Sequence, residues 1–155
     1  ARQDIPIWLD GLGTVQAIAN ITIRAQVDGV LTEVLFREGQ DVRRGDVLAR
    51  IDARPYQAAL DQAIAKRAQD QAQLNNARLD LQRYTQLLSS VSGASRQQVD
   101  TARAQVAQFE AQIAIDDAAI ASARTQLSFT TLTSPVDGRV GLRLVDQGNV
   151  VRGSD

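Results

Sequence analysis

The sequence predicts an α+β protein in which one small β domain is split in two by a long antiparallel α-helical coiled-coil hairpin. Three observations lead to this prediction. A short glycine-containing pattern occurs twice, once on each side of a long helical stretch. That stretch carries heptad repeats interrupted by a single break. Neither copy of the pattern is long enough to bury a core alone, so the two halves must meet, and the insertion must leave and return at nearly the same place.

The repeated pattern is a Val-Asp-Gly turn followed by a second glycine ten positions after the first. The turns are residues 27–29 and 136–138, and a further glycine follows in each copy. Glycine commonly marks the turns between short strands. The predicted turn glycines are Gly29, Gly39 and Gly45 in the first copy and Gly138, Gly148 and Gly153 in the second.

The segments before the helical stretch have the patterns of strands. Residues 5–24 alternate loosely between apolar and polar, which predicts strands broken at 11–13. Strand-length apolar segments at 30–36 and 47–51 lie between glycine turns. At Asp52 the periodicity changes, and this residue is suited to capping the start of a helix.

The first predicted helix has an apolar seam at alternating steps of four and three residues. Eight of its ten seam positions are apolar, and the exceptions are Arg67 and Asp70. At 1.5 Å per residue the helix is about 50 Å long. The apolar members are Tyr56, Leu60, Ala63, Leu74, Ala77, Leu81, Tyr84 and Leu88.

The second predicted helix follows a break at 89–94 and matches the first in length. Ser95 and Gln98 have the spacing of a capping box, which marks its start. Its seam is polar only at Asp116. The apolar members are Val99, Ala102, Val106, Phe109, Ile113, Ile120, Ala123 and Leu127. An antiparallel hairpin is favoured over an ordinary bundle, because the sequence predicts no third helix to complete one.

The three polar seam residues predict a polar layer midway along the hairpin. If the chain turns near residue 92, Asp70 falls opposite Asp116 and Asp117, with Arg67 one turn away on the same helix and within reach of both acids. A guanidinium can bridge two acids that would otherwise repel each other. Arg67, Asp70 and Asp116 are therefore predicted to fix the register of the helices. The alternative is that all three side chains bend out to water.

Composition excludes several classes of function. The absence of Cys and His rules out disulfides, thiolate sites and His-based catalytic or metal sites. A net charge of −1 without a basic run argues against nucleic acid as a partner. Aspartates beside turn glycines are typical of backbone caps, and no nucleotide-binding glycine motif is present. The prediction is a non-enzymatic protein without a metal or cofactor.

Two further features concern location. No apolar run approaches about 18 residues, so no segment is predicted to span a bilayer. No signal peptide is visible at the first residue, which leaves a cytoplasmic protein or a processed or trimmed piece of an exported one. The β-like sequence at both ends favours the trimmed piece.

The two β halves resemble those of the biotinyl/lipoyl carrier fold, a small β-sandwich with paired glycine turns. In such carriers a lysine on the hairpin between the halves holds the prosthetic group. The only lysine here, Lys66, lies more than one turn inside the first predicted helix, and a coiled coil replaces the carrier's junction. A carrier domain is thus a remote alternative.

A split lipoyl-like fold with an inserted helical hairpin resembles the periplasmic adaptor (membrane fusion protein) family of Gram-negative efflux pumps. The segments that carry the resemblance are 25–29, 36–42, 45–52 and 133–141. The run 135–148 is most similar to adaptors of the Mdt multidrug type, which work with resistance-nodulation-division (RND) transporters.

The resemblance implies a division into three parts. Residues 1–23 would be a strand segment from a neighbouring membrane-proximal or barrel domain. Residues 24–53 and 128–155 would form the split lipoyl-like domain, and 54–127 the hairpin, with its tip near 88–95.

The resemblance also implies docking residues at the tip. The family places Arg, Leu and Ser there, where the hairpin meets the outer-membrane channel, and Arg83, Leu87 and Ser95 match in order. The spacing from Leu87 to Ser95 is one residue longer than in the family, an insertion assigned to Gly93.

By the same resemblance, the chain would belong to a periplasmic adaptor that links an inner-membrane RND transporter to an outer-membrane channel of the TolC family for multidrug efflux. Copies would associate into a ring, a trimer or a hexamer, held at the inner membrane through parts outside this chain. The alternative within this architecture is an adaptor of a type I secretion or ABC-type exporter.

Overall fold

The computed structural model describes residues 11–89 and 95–153. Over these ranges a small β domain carries two long helices, which confirms the predicted α+β fold with an inserted hairpin. Neither helix in the described part of the chain is long and apolar enough to cross a membrane. The elements are β1 (Gly29–Val34), β2 (Asp41–Val42), β3 (Val47–Ile51), α1 (Arg54–Ser89), α2 (Arg96–Ser128), β4 (Thr131–Thr133), β5 (Gly138–Arg139) and β6 (Val150–Val151).

Each of the two β-sheets takes strands from both sides of the hairpin. The first sheet has the order β4-β3-β1-β6, the second pairs β2 with β5, and all pairs are antiparallel. At the base of the hairpin the N–H of Ile51 donates to the carbonyl of Thr130 at 2.7 Å, so the insertion leaves and returns at adjacent positions. The buried core cluster of the β domain consists of Val27, Leu31, Ala49, Ile51 and Val151.

The two copies of the sequence pattern hold equivalent places in the two sheets. The paired residues are Gly29 with Val151 and Val30 with Val150 in the first sheet, and Gly138 with Val42 and Arg139 with Asp41 in the second. Each copy therefore supplies the pairing partner of the other in an approximate two-fold arrangement. This mutual pairing gives a physical reason for the pattern to occur twice.

The equivalent glycines Gly29 and Gly138 differ in the room they leave for a side chain. A Cβ on Gly29 would lie 2.5 Å from Cγ2 of Ile51, which is only 2% exposed. A Cβ on Gly138 would meet no described atom within 4 Å. We expect Gly29→Ala to lower the free energy of unfolding by about 1 to 3 kcal/mol, because Ile51 must shift in a packed core. Gly138→Ala is the matched control, and equal losses in urea unfolding would contradict this expectation.

The seam predicted for the hairpin is buried or half-buried over most of its length. This holds for every seam position of α2 and for every seam position of α1 as far as Leu81. Tyr84 and Leu88, which complete the predicted seam of α1, are 36% and 40% exposed. Both residues lie in the last two turns of α1, at the distal end of the hairpin.

The start of α1 is capped by Asp52, as predicted. Oδ1 of Asp52 accepts a hydrogen bond from the N–H of Arg54 at 3.1 Å, and the carboxylate also receives the Arg54 guanidinium. Bonding to the guanidinium and to this N–H lowers the pKa of Asp52 from 3.8 to about 2. The stabilisation is therefore fully present above the ordinary pKa and is lost as the pH falls through the lowered one.

The strands predicted within residues 5–24 are wrong for the part that the structure describes. Residues 11–28 contain no strand, and Leu12, Val15 and Ile18 are almost fully exposed. Alternation alone does not make a strand, because the backbone must also pair with a neighbour, and none of the described strands pairs with this segment. Residues 1–10 lie outside the described residues.

Candidate functional site

The distal end of the hairpin holds the residues predicted to form the tip. Ser95 directly precedes α2, and its capping box is confirmed: Oγ of Ser95 accepts from the N–H of Gln98 at 3.3 Å, and the N–H of Ser95 donates to Oε1 of Gln98 at 2.9 Å. The box satisfies N–H groups that the first turn of a helix leaves without partners. Residues 90–94, with the predicted insertion at Gly93, lie outside the described residues.

Arg83 and Leu87 lie four residues apart near the end of α1, so they share one face of the helix. The Arg83 side chain is 70% exposed, and its Nη1 lies 3.0 Å from Oδ1 of Asp80. Leu87 is 45% exposed. An exposed arginine beside an exposed leucine is the kind of surface that protein partners use. The three predicted tip residues thus lie at the same end of the hairpin, two on α1 and one at the start of α2.

Two acids are buried in the seam midway along the hairpin. Asp70 is 3% exposed and Asp116 is 5% exposed. Lys66, one turn before Asp70 on α1, forms an ion pair with it. The hydrogen bond from this ammonium to Asp70 raises the pKa of Lys66. The lysine side chain is half-exposed, so its stem lies along the helix surface while its charge reaches a buried carboxylate.

The structure gives Arg67 a different partner from the predicted one. Its guanidinium pairs with Asp117 on the flank of the seam and does not bridge Asp70 and Asp116. The long side chain reaches this partly hydrated flank, which costs less desolvation than a charge held within the seam. Asp116 instead accepts from Nε2 of Gln112 at 3.3 Å, and its Oδ2 has no hydrogen-bond partner among the described residues. That Arg67, Asp70 and Asp116 set the helix register stays a prediction.

The unsatisfied oxygen of Asp116 makes this residue a weak point of the seam. We expect Asp116→Leu to raise the free energy of unfolding by about 1 to 3 kcal/mol, because a buried acceptor without a partner is replaced by an apolar side chain. Asp117→Leu is the control, since it removes only a surface ion pair worth up to about 1 kcal/mol. Thermal melts of both variants check the expectation. A lower melting temperature for Asp116→Leu than for the parent would refute it.

A second interhelical ion pair joins Nη2 of Arg78 to Oε1 of Glu110 at 2.7 Å. The apolar seam does not predict this pair or the Arg67–Asp117 pair, because Arg78, Glu110 and Asp117 lie beside the seam positions. A signal is nevertheless present in the sequence. A charged ladder on α2 recurs every seven residues, parallel to the apolar one; its members are Arg103, Glu110, Asp117 and Arg124.

In the β domain, the aspartates of the two Val-Asp-Gly turns make reciprocal contacts between the halves. Oδ1 of Asp28 accepts from the N–H of Gly153, and Oδ1 of Asp137 accepts from the N–H of Arg44, both at 2.7 Å. Gly153 and Arg44 occupy equivalent positions in the two copies. These aspartates therefore act as backbone caps, as predicted, but each caps a turn of the opposite half.

An exposed ion pair also joins the halves across β2 and β5. Nε and Nη2 of Arg139 lie 2.9 and 3.3 Å from the two carboxylate oxygens of Asp41. Hydrogen bonding to this guanidinium lowers the pKa of Asp41. The pair is specific in geometry, but its exposure limits its contribution to stability.

The six predicted turn glycines divide into three kinds. Gly39, Gly45 and Gly148 have φ angles of 76°, 91° and 91°, in the left-handed region that side chains disfavour. Gly29 and Gly138 begin β1 and β5. A Cβ on Gly153 would lie 3.0 Å from the carbonyl oxygen of Gln26, so this turn packs closely against the first half.

Comparison with known proteins identifies relatives of the chain. A family model described as the barrel-sandwich hybrid domain of RND membrane fusion proteins matches residues 19–155. The chain is 48% identical over 153 residues to the multidrug resistance protein MdtA of Proteus mirabilis, which covers 99% of this chain and 37% of the relative. The chain thus spans little more than a third of the length of such relatives.

Solved structures show the same architecture. One is a MacA–MexA chimeric protein that contains the α-hairpin domain of Pseudomonas aeruginosa MexA; it is 34% identical, with a TM-score of 0.58, over 88% of this chain and 44% of the chimera. Another is MacA from Actinobacillus actinomycetemcomitans, 29% identical with a TM-score of 0.58, over 87% of this chain and 46% of that protein.

Proposed function

The chain belongs to the family of RND membrane fusion proteins, and from that premise we propose that it is the hairpin-bearing part of a periplasmic adaptor for multidrug efflux. In the full-length protein, this adaptor links an inner-membrane RND transporter to an outer-membrane channel of the TolC family. The name of the Proteus mirabilis relative, a multidrug resistance protein, favours this function over that of a type I secretion adaptor.

The observation that carries the proposal is the exposed distal end of a long, narrow hairpin. The hairpin is about 50 Å long and starts from a β domain assembled from both halves of the chain. Its distal end exposes Arg83 and Leu87 next to Ser95. We propose that these three residues contact the channel, while the rod acts as a spacer.

We further propose a role without catalysis or a cofactor. Among the described residues, no group of three or more His, Cys, Asp or Glu side chains could hold a metal ion. Lys66, the only candidate for a carrier lysine, is engaged with Asp70 within α1. The engagement of Lys66 fits a structural adaptor better than a biotinyl or lipoyl carrier.

Self-association of copies into a ring, a trimer or a hexamer, is part of the proposal. The exposed apolar residues Ile64, Leu79 and Ile115 lie along the hairpin and offer contacts for a neighbouring rod. We propose that the assembly stands in the periplasm and associates with the inner membrane through regions beyond these 155 residues.

Site-specific photo-crosslinking in cells tests the proposed docking. A photoreactive amino acid at Leu87 of the full-length protein is expected to capture an outer-membrane channel. The matched control is Ile115, which is also exposed and apolar but lies midway along the rod. This position is expected to capture a second copy of the adaptor instead. Capture of the channel from Ile115 and not from Leu87 would refute the tip assignment.

A further inference from the structure

The hairpin is joined to the β domain by two aromatic side chains at its base. Tyr56 lies in the first turn of α1, and Phe129 directly follows α2. Both are half-buried against the core cluster of the β domain. The hairpin therefore contacts the β domain through side chains as well as through its backbone, because an aromatic ring at each helix end packs against the same core.

Tyr56 also makes a specific polar contact with the first half. Its hydroxyl donates to the backbone carbonyl of Asp28 at 2.7 Å. The carboxylate of Asp28 accepts from the N–H of Gly153 at 2.7 Å, just after β6. A continuous chain of contacts thus runs from α1 through Asp28 to the end of the second half.

Comparison of the two halves of the β domain separates the contact that they share from the contact made by Tyr56. Asp137 is the equivalent of Asp28 and makes the equivalent turn contact, to the N–H of Arg44, at the same distance. The tyrosine contact is made to Asp28, on the side where the hairpin leaves the domain. The tyrosine contact is therefore additional to the turn contacts that both aspartates make.

We propose that Tyr56 is a positioning residue that sets the angle between the hairpin and the β domain, with Asp28 coupling that angle to the second half. The length of the rod makes the angle important: for a lever of about 50 Å, a tilt of roughly 10° displaces the tip by about 9 Å. Such a displacement would move Arg83 and Leu87 away from a docking partner. This consequence, though not the positioning itself, rests on the proposed function.

Distance measurements between paired spin labels test the positioning. The chain has no Cys, so labels can be placed at engineered cysteines in place of the exposed residues Gln82 on α1 and Arg43 in the β domain. Tyr56→Phe keeps the ring but removes the hydroxyl and is expected to broaden or shift the distance distribution by several ångströms. Melting curves establish that the variant remains folded. An unchanged distribution would overturn the proposal.

The equivalent aspartates supply matched variants. Asp28→Ala is expected to broaden the same distribution, while Asp137→Ala, which removes the equivalent turn contact, is expected to leave it unchanged. Equal broadening by both would show general loosening and overturn the coupling through Asp28. Drug efflux by the full-length Tyr56→Phe protein is the separate functional readout. A broadened distance with normal efflux would uphold the positioning and refute its importance for docking.

Discussion

Exchanging Arg83 for Asp in the full-length protein is expected to abolish drug efflux and leave the hairpin folded. The side chain is 70% exposed, and its ion pair with Asp80 is a surface pair, so the loss of stability stays below about 1 kcal/mol. Function suffers far more, because the change puts a second acid where the proposed channel contact requires a cation. Drug accumulation in cells and a thermal melt of the purified variant measure the two effects.

Arg103 provides a control at nearly the same height on the other helix. It is 71% exposed and pairs with Asp100 three residues away, as Arg83 pairs with Asp80. Arg103→Asp therefore introduces the same charge change with a similar local cost. We expect near-normal efflux from this variant. If both variants abolished efflux, the effect would come from negative charge anywhere near the tip, and the assignment of Arg83 would fail.

The parts of the fold that follow from local periodicity were predictable. The seam of α2 was predicted at every position because seven-residue spacing alone decides which side chains face a partner helix. The mutual pairing of the halves followed from the repeat, since neither copy can bury its apolar face alone. Ser95 was identified because a capping box needs only two residues at fixed spacing.

Features that depend on the reach of long side chains were not predictable in the same way. Arg67 occupies a seam position in the heptad, yet its guanidinium extends to Asp117 on the flank, while Lys66 reaches the buried Asp70. The heptad spacing fixes where the Cα atoms of the seam residues lie. It says little about where the charged end of a long, flexible side chain lies. The strands predicted within residues 5–24 are absent from the described part of that segment for another reason. Alternation is a pattern of side chains, whereas a strand requires a paired backbone.

Replacing the hairpin by a two-residue turn is expected to leave a folded β domain, whereas the first half alone is expected to be unfolded. In the shortened chain an Asn-Gly turn replaces residues 53–128, because the Ile51–Thr130 hydrogen bond already brings β3 and β4 together as a β-hairpin. Dispersed amide signals in NMR spectra and a cooperative melt would show the fold. Loss of the Tyr56 ring uncovers part of the core, so a lower melting temperature is expected, but not loss of structure.

The first half alone is the decisive comparison. A peptide of residues 24–53 retains β1 and β3 but loses both outer partners in the first sheet, β4 and β6. The core cluster also loses Val151, so the apolar face of β1 and β3 becomes exposed to water. An isolated pair of strands is at best marginally stable, and circular dichroism should show a disordered peptide. Adding a peptide of residues 128–153 should restore strand signal, because each half supplies pairing partners of the other. A folded first half, or an unfolded shortened chain, would mean that the hairpin does not interrupt a single β domain.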